Sequence, residues 1–312
     1  MKFYHSLSDI NLENSQSVIT VGMFDGVHVG HLAVIQKVIQ LSNALNIPSI
    51  VLTFSNHPSS YFYPENPVSQ LSVLEEKVGL LESLGIDIVI ALPFDSYMAS
   101  LSANKFAESI LIDKLNVRDM VFGYDNHFGH NREGSKEFID SLFPSINTHR
   151  INETKINKEI VSSSLIKNYI QKGEVEKANR LLNYSYSLKG TIIKGDQLGR
   201  TIGFPTANIE IQTSKLIPPM GVYFTRSYLG NESFYGMTNI GVRPTVTRSN
   251  EMRIETHLLN FDQDIYGQTL RVEFLGRMRD EIKFESFSDL ISQLENDKIE
   301  ALNLLAKIHI TT

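Results

Sequence analysis

Apolar residues in the first part of the chain alternate between two rhythms. Short, β-branched apolar runs span Ser17 to Val21, Ser49 to Phe54, Ile86 to Leu92 and Val117 to Gly123. Between them apolar residues recur at helical spacing, most clearly from Gly30 to Leu45, where Leu32, Ile35 and Ile39 share a face. This βα alternation predicts a parallel, doubly wound sheet. Ser72 with Glu75 has the form of a capping box for a helix that ends near Leu84 and Gly85. Two short helices are expected at Ser163 to Lys172 and Glu174 to Leu182, separated by Gly173.

Past Asn183 the period changes. Strand-length segments are broken by glycine at Gly190, Gly195, Gly199, Gly203, Gly221, Gly230, Gly236, Gly241 and Gly267, the pattern of an antiparallel barrel. Gly230-Asn231 lies between two alternating runs and has the chemistry of a hairpin turn. A helix from about Phe287 to His309 closes the chain. With no internal repeat and no low-complexity tract, the switch in period alone sets the boundary. Residues 1–183 read as an α/β domain and 184–312 as an all-β domain with a C-terminal helix.

Composition narrows the chemistry. A chain of 312 residues, 42% hydrophobic, can bury two cores. No run of eighteen apolar residues and no secretory signal is visible, so a cytoplasmic protein with no membrane partner is expected. The absence of cysteine removes disulfides, thiolate zinc and cysteine nucleophiles, so any metal is a hard ion held by oxygen. A net charge of -6 argues against a nucleic-acid partner while leaving room for a local basic pocket. Oligomeric state is not legible.

The first chemical signal is Gly22-Met23-Phe24-Asp25-Gly26-Val27-His28-Val29-Gly30-His31, which joins a strand to a helix. In an open α/β sheet this turn is where phosphates bind. The helix start offers unpaired amide donors, Gly30 admits close approach, and His28 and His31 fall on one side. Fixed donors of this kind meet the charge on a phosphate in adenylyl transfer, which needs no protein nucleophile. An isolated His-x-x-His is as well read as a helix cap or a structural metal site; the flanking glycines and the preceding strand favour phosphate.

This segment resembles the HxGH signature of nucleotidyltransferases, and its longer form resembles the bacterial bifunctional riboflavin kinase/FAD synthetase family. The resemblance implies a Rossmann-like HxGH domain followed by a Greek-key flavokinase barrel with a C-terminal helix. It implies His28 and His31 as catalytic, with Gly22, Phe24, Asp25, Gly26 and Gly30 binding the nucleotide. The family's second signature, Ser-Ser-Thr-x-Ile-Arg, is matched by Ser162-Ser163-Ser164-Leu165-Ile166-Lys167, with lysine in place of the arginine fork. Read alone, those serines also suit an ordinary helix cap. His57 with Pro58, and Asp125 with Arg132, lie in stretches that resemble the family's FMN and adenine segments. Asn126 and His127 stand where phenylalanine and arginine are usual.

The second signal is Gly199-Arg200-Thr201-Ile202-Gly203-Phe204-Pro205-Thr206-Ala207-Asn208, preceded by Lys194-Gly195-Asp196. Three glycines and a proline describe a rigid loop rather than a helix or central strand. Its amides can cradle ADP phosphates, and Thr206 and Asn208 present oxygens suited to Mg²⁺. The stretch resembles the flavokinase motif, which implies that Gly195, Gly199, Arg200, Gly203 and Pro205 bind nucleotide. Kinase chemistry also needs a carboxylate to take the substrate's hydroxyl proton. Glu255 is the candidate, on a strand where it shares a face with His257, and the family's Glu-x-His-Leu-Leu-Asp-Phe stretch is matched here with Asn260 for the aspartate. Asn239 in Asn239-Ile240-Gly241-Val242-Arg243-Pro244-Thr245 and Arg279 in Arg277-Met278-Arg279 resemble further ligand segments.

The expected protein therefore takes ATP as co-substrate twice, making FMN from riboflavin and FAD from FMN. Three alternatives stay open on sequence alone: a riboflavin kinase whose adenylyltransferase half has weakened, an RNA-binding HxGH relative, and a flavin-sensing regulator.

Overall fold

The computed structural model describes residues 1–12, 15–195, 197–211, 214–242 and 252–311. Asp196 and Arg243-Pro244-Thr245, singled out above, lie outside them. The chain divides into two compact units, Met1–Ser163 and Ser164–Thr312.

In the first unit, six parallel strands pair in the order β1-β4-β3-β2-β5-β6. They are β1 (Lys2–Tyr4), β2 (Ser17–Val21), β3 (Ser49–Phe54), β4 (Ile88–Leu92), β5 (Val117–Phe122) and β6 (Asn147–Arg150). Their helices are α1 (Val29–Leu45), α2 (Pro58–Phe62), α3 (Leu74–Ser83), α4 (Ser96–Ser100), α5 (Ala103–Phe106) and α6 (Lys136–Leu142), and a small hairpin of β7 (Lys155–Ile156) and β8 (Glu159–Ile160) follows. The central strands alternate between two cores. Ile19, Val21, Ile50, Leu52, Ile88 and Ile90 pack into one cluster, while Val18, Val51 and Val89 pack into another with Val34, Ile35 and Val38 of α1. Both faces are covered, which is why these strands carry little polar alternation.

The Ser72 and Glu75 capping box does not form. Helix α3 starts one residue later than that pair requires, with Val73 N–H donating to Glu76 Oε2 at 3.2 Å. The Ser72 hydroxyl is drawn away to accept the N–H of Gly26 at 2.9 Å.

The second unit begins within α7 (Ser163–Gln171) and continues through α8 (Val175–Leu182) into a closed antiparallel barrel. Its strands are β9 (Ser187–Ile193), β10 (Ala207–Ile211), β11 (Gly221–Leu229), β12 (Glu232–Val242), β13 (Met252–Leu258) and β14 (Thr269–Arg279), in the order β10-β13-β12-β11-β14-β9. Helix α8 belongs with the barrel because the Asn179 amide donates to the Phe274 carbonyl at 2.8 Å and accepts the Tyr186 N–H at 2.7 Å. Gly230-Asn231 is the β11–β12 turn, with Leu229 paired to Glu232. Inside, the hydroxyls of Thr225, Thr238 and Thr256 form a row at 2.9 Å spacing, satisfying one another where water is excluded. Outside, Val222, Phe224 and Met237 pack with Phe204 and Ala301 of α10 (Phe287–Thr311).

The glycine-rich loop departs from its sequence reading in one respect. Leu198–Thr201 makes a single helical turn, α9, rather than irregular loop throughout. Gln197 turns into it with φ 57°, and the N–H groups of Ile202 and Phe204 both bond to the Gly199 carbonyl, at 3.2 and 2.8 Å.

Candidate functional site

Between the end of β2 and the start of α1, the backbone is strained. Phe24 (φ 49°) and Val27 (φ 39°) occupy the left-handed region that side-chain-bearing residues avoid. Each such conformation costs roughly 1–3 kcal/mol. Both side chains are buried, and long-range hydrogen bonds over-determine the path. Asp25 Oδ1 accepts the N–H groups of Leu71 (2.8 Å) and Ser72 (3.1 Å). The Thr53 hydroxyl donates to the Met23 carbonyl at 3.1 Å, and the Ser163 hydroxyl donates to the Asp25 carbonyl at 2.9 Å. The two signatures read separately in sequence therefore meet, Ser163 against Asp25.

His28 is the N-cap of α1, its Nδ1 accepting the His31 N–H at 3.4 Å. That bond leaves Nδ1 without a proton, so Nε2 carries the hydrogen. The His28 and His31 rings stack with centroids 3.6 Å apart and planes 14° from parallel. Gly30 makes this possible, since a Cβ there would press within 3.2 Å of the His28 ring. Burial pushes His28 down to about 4, against the pull of Asp25. Burial likewise holds His31 well below the usual imidazole range, with His28 and Lys77 adding to the effect. His31 Nδ1 is sealed from solvent and has no hydrogen-bond partner. Two neutral imidazoles at a helix N-terminus form a donor pair suited to phosphate.

The other predicted residues of this unit separate by environment. Ser162 immediately precedes α7, Ser163 and Ser164 form its first turn, and Lys167 lies one turn further along. His57 caps α2, its Nδ1 accepting the Ser59 N–H at 3.1 Å, with Pro58 in the first turn. Asp125 and Arg132 lie on an exposed loop, joined by the Arg132 guanidinium donating to the Asp125 carbonyl at 3.3 Å. His127 is exposed and bonds the same carbonyl, whereas the Asn126 amide donates to the Val21 carbonyl at the end of β2. Sequence reasoning missed an aromatic group at the ends of β3 and β4: Phe54, Phe94, Tyr61 and Phe62, with centroids 5.2–6.0 Å apart. Tyr61 and Phe62 are 41% and 57% exposed, and the Tyr61-Phe62-Tyr63 run was the available signal.

In the barrel, strand register aligns three predicted residues. Glu255 on β13 pairs with Asn208 on β10 and with Asn239 on β12. Directly opposite residues in an antiparallel ladder share a face, so the three form one row. Asn208 is buried, and a Cβ at Gly195 would fall 2.3 Å from its Nδ2, so glycine there leaves room for the amide. Glu255 lies 3.7 Å from the Arg253 guanidinium. The neighbouring His257 donates from Nδ1 to the Pro205 carbonyl at 2.8 Å, pinning the loop that carries Thr206.

On the other face of the β10–β13 ladder, a cleft of about 250 Å³ is lined by Arg200, Pro205, Thr206, Ala207, Thr256 and, unforeseen from sequence, Phe261 and Tyr266. Gly199 and Gly203 bracket its loop. A second cleft of about 320 Å³ lies among Glu176, Phe224, Arg277, Glu300 and Leu304. Arg279 is committed to the buried Asp297 of α10, with contacts of 2.7–3.1 Å.

Comparison with known proteins matches each part of the chain to a family. Residues 10–165 match the FAD synthetase family model and residues 182–305 the riboflavin kinase model. The bifunctional riboflavin kinase/FMN adenylyltransferase of Bacillus subtilis is 36% identical over 303 residues, covering 96% of each chain. The namesake from Listeria monocytogenes is 34% identical with 98% of each covered, and that of Escherichia coli K12 is 33% identical with 95% of each covered. A solved structure, named Macrolide-efflux Protein from Streptococcus pneumoniae, superposes with a TM-score of 0.89 at 29% identity, over 96% of this chain and 98% of that one. Among the described residues no helix is long and apolar enough to cross a membrane.

Proposed function

The chain belongs to the bifunctional riboflavin kinase/FMN adenylyltransferase family, and from that premise we propose which of its residues perform each reaction. The enzyme phosphorylates riboflavin to FMN and adenylylates FMN to FAD, releasing pyrophosphate. We assign adenylyl transfer to residues 1–183 and phosphoryl transfer to 184–312. The boundary at 183 is that of the change in sequence period; Ser162, Ser163, Ser164 and Lys167 go with the HxGH loop by the signature they complete, while α8 packs on the barrel.

In the first reaction Glu255 takes the proton from the terminal ribityl hydroxyl as that oxygen attacks the γ-phosphate, and ADP leaves. Gly195, Gly199, Arg200, Gly203 and Pro205 shape the nucleotide loop, with Tyr266 and Phe261 offering apolar surface to the base. Thr206 and Asn208 fit Mg²⁺. Both offer neutral hard oxygens, and an ion that keeps water and phosphate ligands needs few protein groups. When bound, Mg²⁺ neutralises phosphate charge; the chain's own part is to hold those oxygens beside Glu255. Asn239 flanks the base, and the cleft near Arg277 and Arg279 is the flavin side.

In the second reaction the FMN phosphate attacks the α-phosphate of a second ATP. His28 and His31 donate to the charge that builds there, Gly22, Phe24, Asp25, Gly26 and Gly30 form the loop, and the family signature assigns Lys167 and the serines to the departing pyrophosphate. The aromatic group at Phe54, Tyr61, Phe62 and Phe94 supplies a flavin surface beside His57 and Pro58. Asp125 and Arg132 lie toward the adenine. A cytoplasmic setting, where ATP is drawn, and the exclusion of nucleic-acid partners complete the reading.

The observation that carries these assignments is the register of Asn208, Glu255 and Asn239 in one unit and the stacked neutral histidines in the other. Product analysis with variants in each unit, from riboflavin and separately from added FMN, tests them: a barrel variant that also fails to make FAD from added FMN, or an HxGH-loop variant that fails to make FMN from riboflavin, would overturn the division.

A further inference from the structure

Lys77 lies on α3 with 2% exposure, at helical spacing between Leu74 and the buried Leu81. Such a position ordinarily takes an apolar residue, because a buried ammonium loses its hydration. Here Nζ donates to the Thr53 hydroxyl at 3.3 Å, and that hydroxyl donates in turn to the Met23 carbonyl at 3.1 Å. The chain of bonds ends on the residue before the strained segment Phe24–Val27. Four other charged or titratable groups bear on it. Asp25 faces it from the loop and opposes the burial that lowers Lys77 to about 8. His31 lies on α1 and His28 caps it, and Lys77 helps to hold His31 neutral. Glu76, on its own helix, is turned to the Val73 N–H.

We propose that Lys77 is a positioning residue for adenylyl transfer: through Thr53 it fixes the Met23 carbonyl, and with Asp25 it holds the strained turn that aims His28 and His31 at the nucleotide. The inference rests on the reading of this loop as the adenylyltransferase centre. The lysine supplies a donor that reaches the loop from below and a charge that compensates Asp25. An apolar residue supplies neither. A misplacement on the order of 1 Å at such a donor pair lowers turnover roughly a hundredfold without abolishing binding.

The test uses the full chain, FAD formation from FMN with Mg·ATP, and riboflavin phosphorylation as internal control. Lys77→Met should lower kcat for FAD formation roughly ten- to a hundredfold, leave KM for FMN within about threefold, and spare the kinase. The acid limb of the kcat profile should also move to higher pH, since removing a positive neighbour favours imidazole protonation. Thr53→Val keeps the shape and the lysine but cuts the link, so it should lower kcat without moving that limb, and Thr53→Ser should restore the rate. A folded Lys77→Met with wild-type kcat and acid limb overturns the proposal. So does a Thr53→Val enzyme of wild-type kcat, which decides the matter if Lys77→Met does not fold. His28→Asn distinguishes the underlying reading: if it makes FAD at the wild-type rate, the assignment of the loop fails; if it is inactive while both other variants are normal, only the role of Lys77 fails.

Discussion

Asn208 and Glu255 face each other across the β10–β13 ladder, one pair in from the Ala207–Thr256 pair that borders the loop carrying Thr206. Opposed side chains of this kind have Cβ atoms about 4.5–5.5 Å apart, close enough to serve one phosphate and its metal from two sides. Glu255→Gln keeps the shape and removes the base, so riboflavin phosphorylation should fall by about 10²–10⁴. Asn208→Ala should raise the Mg²⁺ requirement as well as lower the rate. Neither should change FAD formation from added FMN. Parallel measurement of the two products checks this, and a Glu255→Gln enzyme with full kinase activity would remove Glu255 from the chemistry.

His28 has two duties that one substitution would confound, because it caps α1 as well as facing the loop. Alanine loses both, at a stability cost of about 1 kcal/mol for the cap. Asparagine is among the best N-caps and lacks the imidazole. His28→Asn should therefore retain the melting temperature within a degree or two while FAD formation falls by about 10²–10³, and FMN formation from riboflavin should persist. A His28→Asn enzyme with wild-type rate and stability beside an impaired His28→Ala enzyme would assign His28 to the cap alone.

Gly195 offers a narrower test of the kinase row. Its φ is not in the left-handed region, so alanine is tolerated by the backbone. The added methyl would nevertheless fall 2.3 Å from Asn208 Nδ2 and 2.6 Å from its carboxamide carbon, and the amide must rotate away. Gly195→Ala should raise KM for Mg·ATP in the kinase reaction by roughly tenfold or more, with stability changed by only about 1–3 kcal/mol. Titration of Mg²⁺ at fixed ATP reads the effect. An unchanged Mg²⁺ dependence would separate Asn208 from the metal.

The parts of this molecule legible in its sequence are those set by local pattern. β2, β3 and β4 announced themselves because both their faces are buried, and the His28 and His31 pair because its spacing is helical. β1 and β6 did not, since Lys2–Tyr4 and Asn147–Arg150 are short edge strands of half-polar sequence. Ser72 was misread because a serine before a helix suits a cap, and only the fold brings Gly26 to its hydroxyl across 46 positions. Lys77 was invisible for the same reason: a lysine on an amphipathic helix reads as solvent-facing until the loop it supports is folded over it. Tyr266 gave no signal because the cleft it lines is assembled from β9, β13 and the segments around them.

The same burial that readies His28 for phosphate makes the first unit sensitive to acid. Its folded pKa lies at about 4, below the value of 6.5 that the imidazole takes when unfolded. Below pH 6.5 the unfolded chain therefore binds a proton that the folded chain refuses, and stability falls as pH drops from 6.5 toward 4. Each pKa unit is worth about 1.4 kcal/mol, so the loss from this group approaches roughly 3 kcal/mol. His28→Asn keeps the cap and cannot titrate, so its stability relative to wild type should improve over that window and be constant above pH 7. Denaturant titrations read by hydrogen exchange in peptides spanning β2 and β3 measure the unit concerned. A difference between the two proteins that does not change with pH would mean that His28 is already exposed to protons in the folded state, and that the neutral donor pair does not exist as drawn.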